Sequence, residues 1–138
     1  MNENGSEKHY WLYVLKLNQG KIYIGITAQK TAESRIKQHE RGFYSAQWVK
    51  KYGYLETIET KELGNITEVE AENIENELTL KYMKEFGKDN VRGGKFNYSG
   101  EYRYKFGRFI RDKDWEVITV IIFLLLVILV LTLKQIHN

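Results

Sequence analysis

The sequence predicts a small α/β domain of the α+β kind, a three-stranded antiparallel sheet flanked by helices, followed by one C-terminal membrane-spanning helix. Three observations predict it. Two β-type runs, 10–17 and 21–27, flank the turn Asn18-Gln19-Gly20. A helical-period pattern opens at Thr67 and runs to Phe86. The 17 residues from Val117 to Leu133 carry no charge. With 138 residues in all, one domain plus appendages is expected. The expected organisation is a disordered lead-in over 1–8, a folded domain over 9–98, a basic and aromatic juxtamembrane segment over 99–114, a span over 115–134 and a short tail over 135–138.

The hairpin comes first. Its simplest register sets Leu17 opposite Lys21, Leu15 opposite Tyr23 and Tyr13 opposite Gly25. Tyr13 and Tyr23 are then diagonal neighbours on one face. Gly25 has no side chain, so open floor is expected beside Tyr13, which suits a site better than a core. Residues 31–42 read as a helix that Thr31 caps and Gly42 ends. Ala32, Ile36, His39 and Phe43 form its stripe, and Arg35 and His39 share a face at i, i+4. Arg35 alone reads as a surface charge; just after two paired tyrosines it reads as part of a site.

Residues 43–53 predict a short helix ended by Gly53, with Trp48 in the core. Lys50 and Lys51 are either solvated or phosphate contacts. The β-branched run 54–63 predicts the third strand. Thr67-Glu68-Val69-Glu70 fits a capping box at the head of the longest soluble helix. Ala71, Ile74, Leu78, Tyr82 and Phe86 fall on its apolar side. Glu75 falls inside that stripe, where a carboxylate needs a cation or donors. A salt bridge, with Arg35 for instance, and a metal-ligand role both satisfy it. Glu70 and Glu77 point outward. Lys88 to Lys95 read as a loop in which Arg92, Gly93, Gly94 and Lys95 let backbone and cations approach a phosphate, or simply turn the chain.

Val117–Leu133 extends for about 26 Å as a helix, the short end for a bilayer. Trp115 and Lys134 bound it as interface anchors do. Cations cluster before the span and only Lys134 and His137 follow, which predicts a single-pass protein with its domain on the cytosolic side. The polar N-terminus has no apolar signal region, so a tail anchor is favoured over a processed lipid anchor.

Composition removes several classes. There is no Cys, which excludes a disulfide partner and Cys-ligated zinc. His9, His39 and His137 are too scattered to suggest a metal cluster. Residues 1–98 hold 15 Lys+Arg against 14 Asp+Glu, so any nucleic-acid site must come from local charge placement.

The ordered set of hairpin, helical Arg35-x3-His39 and Ala71-x3-Glu75-x2-Leu78 resembles the GIY-YIG nuclease domain over about residues 10–98. Trp11-Leu12-Tyr13 stands in the GIY place, with Trp for the first Gly, and Tyr23-Ile24-Gly25 is an intact YIG. The resemblance implies a divalent-metal-dependent DNA endonuclease that hydrolyses phosphodiester bonds with Mg²⁺ or Mn²⁺. It implies Tyr13 as general base, Tyr23 as a holder of Tyr13 or of the phosphate, and Arg35 as stabiliser of developing charge. His39 is then a proton carrier or phosphate donor, Glu75 the metal ligand, and Gly25 and Asn90 are supporting residues. DNA and the lipid bilayer are the implied partners; oligomeric state is left open. The opposing reading is a non-catalytic binding module of the same fold, tethering nucleic acid or protein to a membrane.

Overall fold

The computed structural model describes residues 6–100, 102–105 and 108–136. Most of the expected disordered lead-in, together with Glu101, Phe106 and the last two tail residues, lies outside the described residues. The chain forms two compact units divided after Ser99.

The first unit runs β1 (Lys8–Leu17), β2 (Ile22–Thr27), α1 (Ala32–Glu40), α2 (Gln47–Tyr52), β3 (Tyr54–Ile66), α3 (Glu68–Phe86) and β4 (Val91–Gly93). The sheet has four strands rather than the expected three, in the order β3-β1-β2-β4. Its first three strands are antiparallel, and β4 lies parallel to β2 with Tyr23 beside Arg92. Three residues containing a Gly show no alternation, so β4 read as loop. Its pairing is decided by tertiary approach. A Cβ at Gly93 would meet the Ile24 carbonyl and the Thr79 hydroxyl, each at 2.6 Å, so only Gly lets β4 lie between β2 and α3.

The hairpin has the register expected, with Tyr13 opposite Gly25 and Leu15 opposite Tyr23. Alternation along β1 and β2 sends Tyr13, Leu15, Leu17 and Tyr23 to one face, where they pack with Ala32 and Ile36 of α1 and Trp48 and Val49 of α2. Thr31 caps α1 by accepting from the Ser34 N–H. Phe43 does not join the α1 stripe: the helix ends at Glu40, Gly42 turns with φ +72°, and Phe43 is exposed.

Helix α3 opens with the expected capping box of Thr67 and Glu70. Its phase differs from the apolar stripe. The buried side is Ala71, Glu75, Thr79 and Met83, while Ile74 and Phe86 are exposed. Two polar groups therefore face inward. Thr79 satisfies itself by donating to the Glu75 carbonyl oxygen at 2.7 Å, so the helix tolerates it there.

In the second unit, β5 (Tyr102–Lys105) and β6 (Arg108–Arg111) form a hairpin within the basic and aromatic segment expected over 99–114. It leads into α4 (Asp112–Ile136). Within Asp112–Gln135 an 18-residue window has a mean hydropathy of 3.1 and none of that window is buried, so this helix is long and apolar enough to cross a membrane.

Candidate functional site

Four elements of the first unit deliver side chains to one cavity of about 660 Å³. Tyr13 comes from β1, Tyr23 from β2, Arg35 from α1 and Glu75 from α3; Lys95 lines it too. The floor beside Gly25 is not open. A Cβ at position 25 would collide with the Tyr13 phenol, so the ring itself occupies the space that Gly25 leaves.

Tyr13, Tyr23 and His39 form a ring cluster, with centroids 6.4, 5.6 and 5.5 Å apart. The Tyr13 Oη lies 2.9 Å from His39 Nε2, and His39 Nδ1 lies 2.7 Å from Ser45 Oγ. Burial pushes the Tyr13 phenol up to about 12, against a lowering by the Arg35 charge. Burial, and then its neighbours Tyr13 and Glu75, hold the Tyr23 phenol far above its ordinary value. Burial, with Arg35 second, lowers His39 to about 4, so the imidazole is neutral at neutral pH. His39 is 2% exposed and lies behind Tyr13, outside the cavity lining. The Tyr23 hydroxyl makes no hydrogen bond among the described residues and is open to a ligand. Arg35 donates from Nη1 to Gln38 Oε1 at 2.9 Å, which steadies the guanidinium at the cavity wall.

Glu75 is 7% exposed. Its Oε1 accepts from the Gly94 N–H at 2.9 Å, and Asn76 Oδ1 accepts from the Lys95 N–H at 2.8 Å. Gly94 has φ +45°, and a Cβ there would run into Asn76, so the turn after β4 must be Gly to lie this close to α3. Desolvation raises the Glu75 carboxyl to about 7, the Gly94 N–H opposing and Glu72 adding to it. Its Oε2 has no hydrogen bond among the described residues. A hard divalent cation that keeps most of its waters fits one such carboxylate. No group of three or more His, Asp or Glu that could hold a metal occurs among the described residues.

The remaining expected residues lie elsewhere. Arg92 is 1% exposed, donates to the carbonyls of Tyr98, Lys88 and Val91, and stacks 4.2 Å from the Trp48 ring centroid. It is a core cation, out of reach of a phosphate. Asn90 accepts from Lys21 Nζ and donates to the Phe86 carbonyl, which ends α3 and ties it to the hairpin. Lys50 and Lys51 sit on α2 outside the cavity, and the Lys51 ammonium lies over the Tyr52 and Trp48 rings.

No family model, curated protein or solved structure matches this chain. Sequence reading missed Ser45, Asn76, and the cavity-lining Tyr10, Glu68 and Glu72. Asn76 carried a signal, an Asn in mid-helix where its propensity is poor. Ser45 carried none, because its link to His39 is made by a turn.

Proposed function

We propose that this chain is a membrane-anchored endonuclease of the GIY-YIG type that hydrolyses DNA phosphodiester bonds with Mg²⁺, its domain on the cytosolic side. One observation carries the reading: Tyr13, Tyr23, Arg35 and Glu75, far apart in sequence, line the same cavity. That is the set hydrolysis of a phosphodiester needs. Arg35 neutralises charge growing on the non-bridging oxygens. The open Tyr23 hydroxyl hydrogen-bonds the phosphate. Tyr13 takes a proton from the attacking water while passing its own to His39. Glu75 would hold a Mg²⁺, which when bound supplies positive charge for the leaving oxygen. The high Tyr13 and low His39 values keep the resting phenol protonated, so proton transfer accompanies attack and does not precede it.

The test is incubation of residues 1–99 with branched, nicked, linear and supercoiled DNA, with Mg²⁺ and with chelator. Metal-dependent cutting is expected. Binding without cutting in Mg²⁺ or Mn²⁺ would leave the non-catalytic tethering module, a role for which the neutral resting phenol and half-neutral Glu75 are no handicap.

A further inference from the structure

Ser45 belongs to no motif, yet it is the second partner of the His39 ring. The ring is held at both nitrogens, Nε2 at 2.9 Å from Tyr13 Oη and Nδ1 at 2.7 Å from Ser45 Oγ. A neutral imidazole has one N–H and one lone pair, so two assignments exist. With hydrogen on Nε2, the ring donates to Tyr13, accepts from the Ser45 hydroxyl at Nδ1 and cannot take the phenol proton. With hydrogen on Nδ1, the ring donates to Ser45 Oγ, and the Nε2 lone pair faces the phenol O–H. Only the second form gives the Tyr13 proton somewhere to go. The imidazolium that follows keeps Ser45 as acceptor for its Nδ1–H.

The backbone supports a dedicated placement. Tyr44, just before Ser45, has φ +48°, a left-handed conformation that bulky side chains avoid. Its side chain is 85% exposed, so no burial of the ring compensates. Local strain is retained where it re-aims the next residue, and here the next residue is the buried Ser45.

We propose that Ser45 is a positioning residue that holds His39 in the Nδ1–H form, so that Nε2 receives the Tyr13 proton. The catalytic consequence rests on the nuclease reading. In that step water gives a proton to Tyr13 Oη and the phenol proton moves to His39 Nε2. The hydroxide oxygen bonds phosphorus as the bond to the leaving oxygen breaks; the leaving oxygen takes a proton from solvent, and His39 gives its extra proton to solvent through Tyr13 after product leaves.

The experiment is ¹⁵N NMR of the histidine-labelled full chain in detergent micelles at neutral pH, with His39→Gln to assign the ring. The expected result is a protonated-type Nδ1 and an unprotonated-type Nε2. Ser45→Ala should move His39 towards the Nε2–H form, and Ser45→Thr should retain the original pattern. Single-turnover cleavage should fall roughly 10- to 100-fold in Ser45→Ala, with an altered pH profile, and recover in Ser45→Thr. An Nε2–H ring in the unsubstituted chain, or ring shifts unchanged in Ser45→Ala, overturns the proposal. If the Nδ1–H form depends on Ser45 but no DNA is cut, the placement of the ring stands and the nuclease reading is what fails.

Discussion

Tyr13 lies across Gly25, the phenol filling the volume a side chain at position 25 would need. The first prediction follows. Gly25→Ala forces the buried ring, 1% exposed, out of its place. Overpacking of this kind costs about 1–3 kcal/mol. The same movement breaks the hydrogen bond to His39. Loss of stability in urea titration together with loss of any cleavage is expected. A Gly25→Ala domain with unaltered stability would mean that the ring can step aside freely.

Arg92 separates a core cation from a phosphate contact. Its guanidinium donates to three main-chain carbonyls and stacks on Trp48. Lys cannot reproduce that fork. Arg92→Ala should cost about 3 kcal/mol or more, because three carbonyls lose a charged donor. Arg92→Lys should recover only part of it. A phosphate contact would behave otherwise, with stability kept and the salt dependence of DNA binding reduced by about one ion. Urea unfolding and a salt titration on both variants distinguish the two.

The legibility of these features follows their range. Tyr13 opposite Gly25 was readable, because hairpin register depends on local pattern and a short turn. The capping box at Thr67 was readable for the same reason. Strand β4 was not, since its three residues pair only through Gly93 meeting Ile24 and Thr79. The inward place of Glu75 on α3 was readable because it falls inside the apolar stripe; that of Thr79 was not, because a stripe count favours Ile74 and Phe86 while Thr79 satisfies its hydroxyl on the Glu75 carbonyl. Arg92 read as a phosphate contact or a plain loop residue because nothing near it in sequence announces Trp48 as its neighbour. Phe43 fell outside its stripe because α1 stops at Glu40, two residues short of the expected end.

Tyr13→Phe tests the proton path. The ring and its packing are kept, and His39 Nε2 loses its partner in a buried place. A cost of about 1–2 kcal/mol is expected, larger than for an exposed phenol. The chemical step should slow by roughly 10²–10⁴. DNA affinity should hardly change, since cationic contacts to phosphate dominate it. Arg35→Ala should weaken both binding and rate. Single-turnover cleavage and binding at one stated salt concentration check this; an unslowed Tyr13→Phe would remove Tyr13 from the mechanism.

Glu75 gives a pH signature that needs no DNA. Its carboxyl is raised from 4.5 to about 7, so between those values the native chain keeps a proton the unfolded chain has lost. Stability from this group therefore falls as pH rises through that window and is level above it, a total of about 3 kcal/mol. His39 acts oppositely. Lowered from 6.5 to about 4, it stays unprotonated in the native chain while the unfolded chain takes up a proton, so its contribution falls as pH drops through that range. The two slopes oppose each other over much of the same range, and a single profile of the unsubstituted domain would look nearly flat there. Glu75→Gln removes one of them. Relative to that variant, the unsubstituted domain should lose stability from about pH 5 to about pH 8 in chelator. Mg²⁺ should restore part of it at the higher pH, since a bound cation favours the ionised carboxylate. Urea unfolding of both proteins at the two pH values is the measurement. An equal difference at both would show that Glu75 titrates like an exposed carboxylate, and the buried ligand position argued for it would have to be given up.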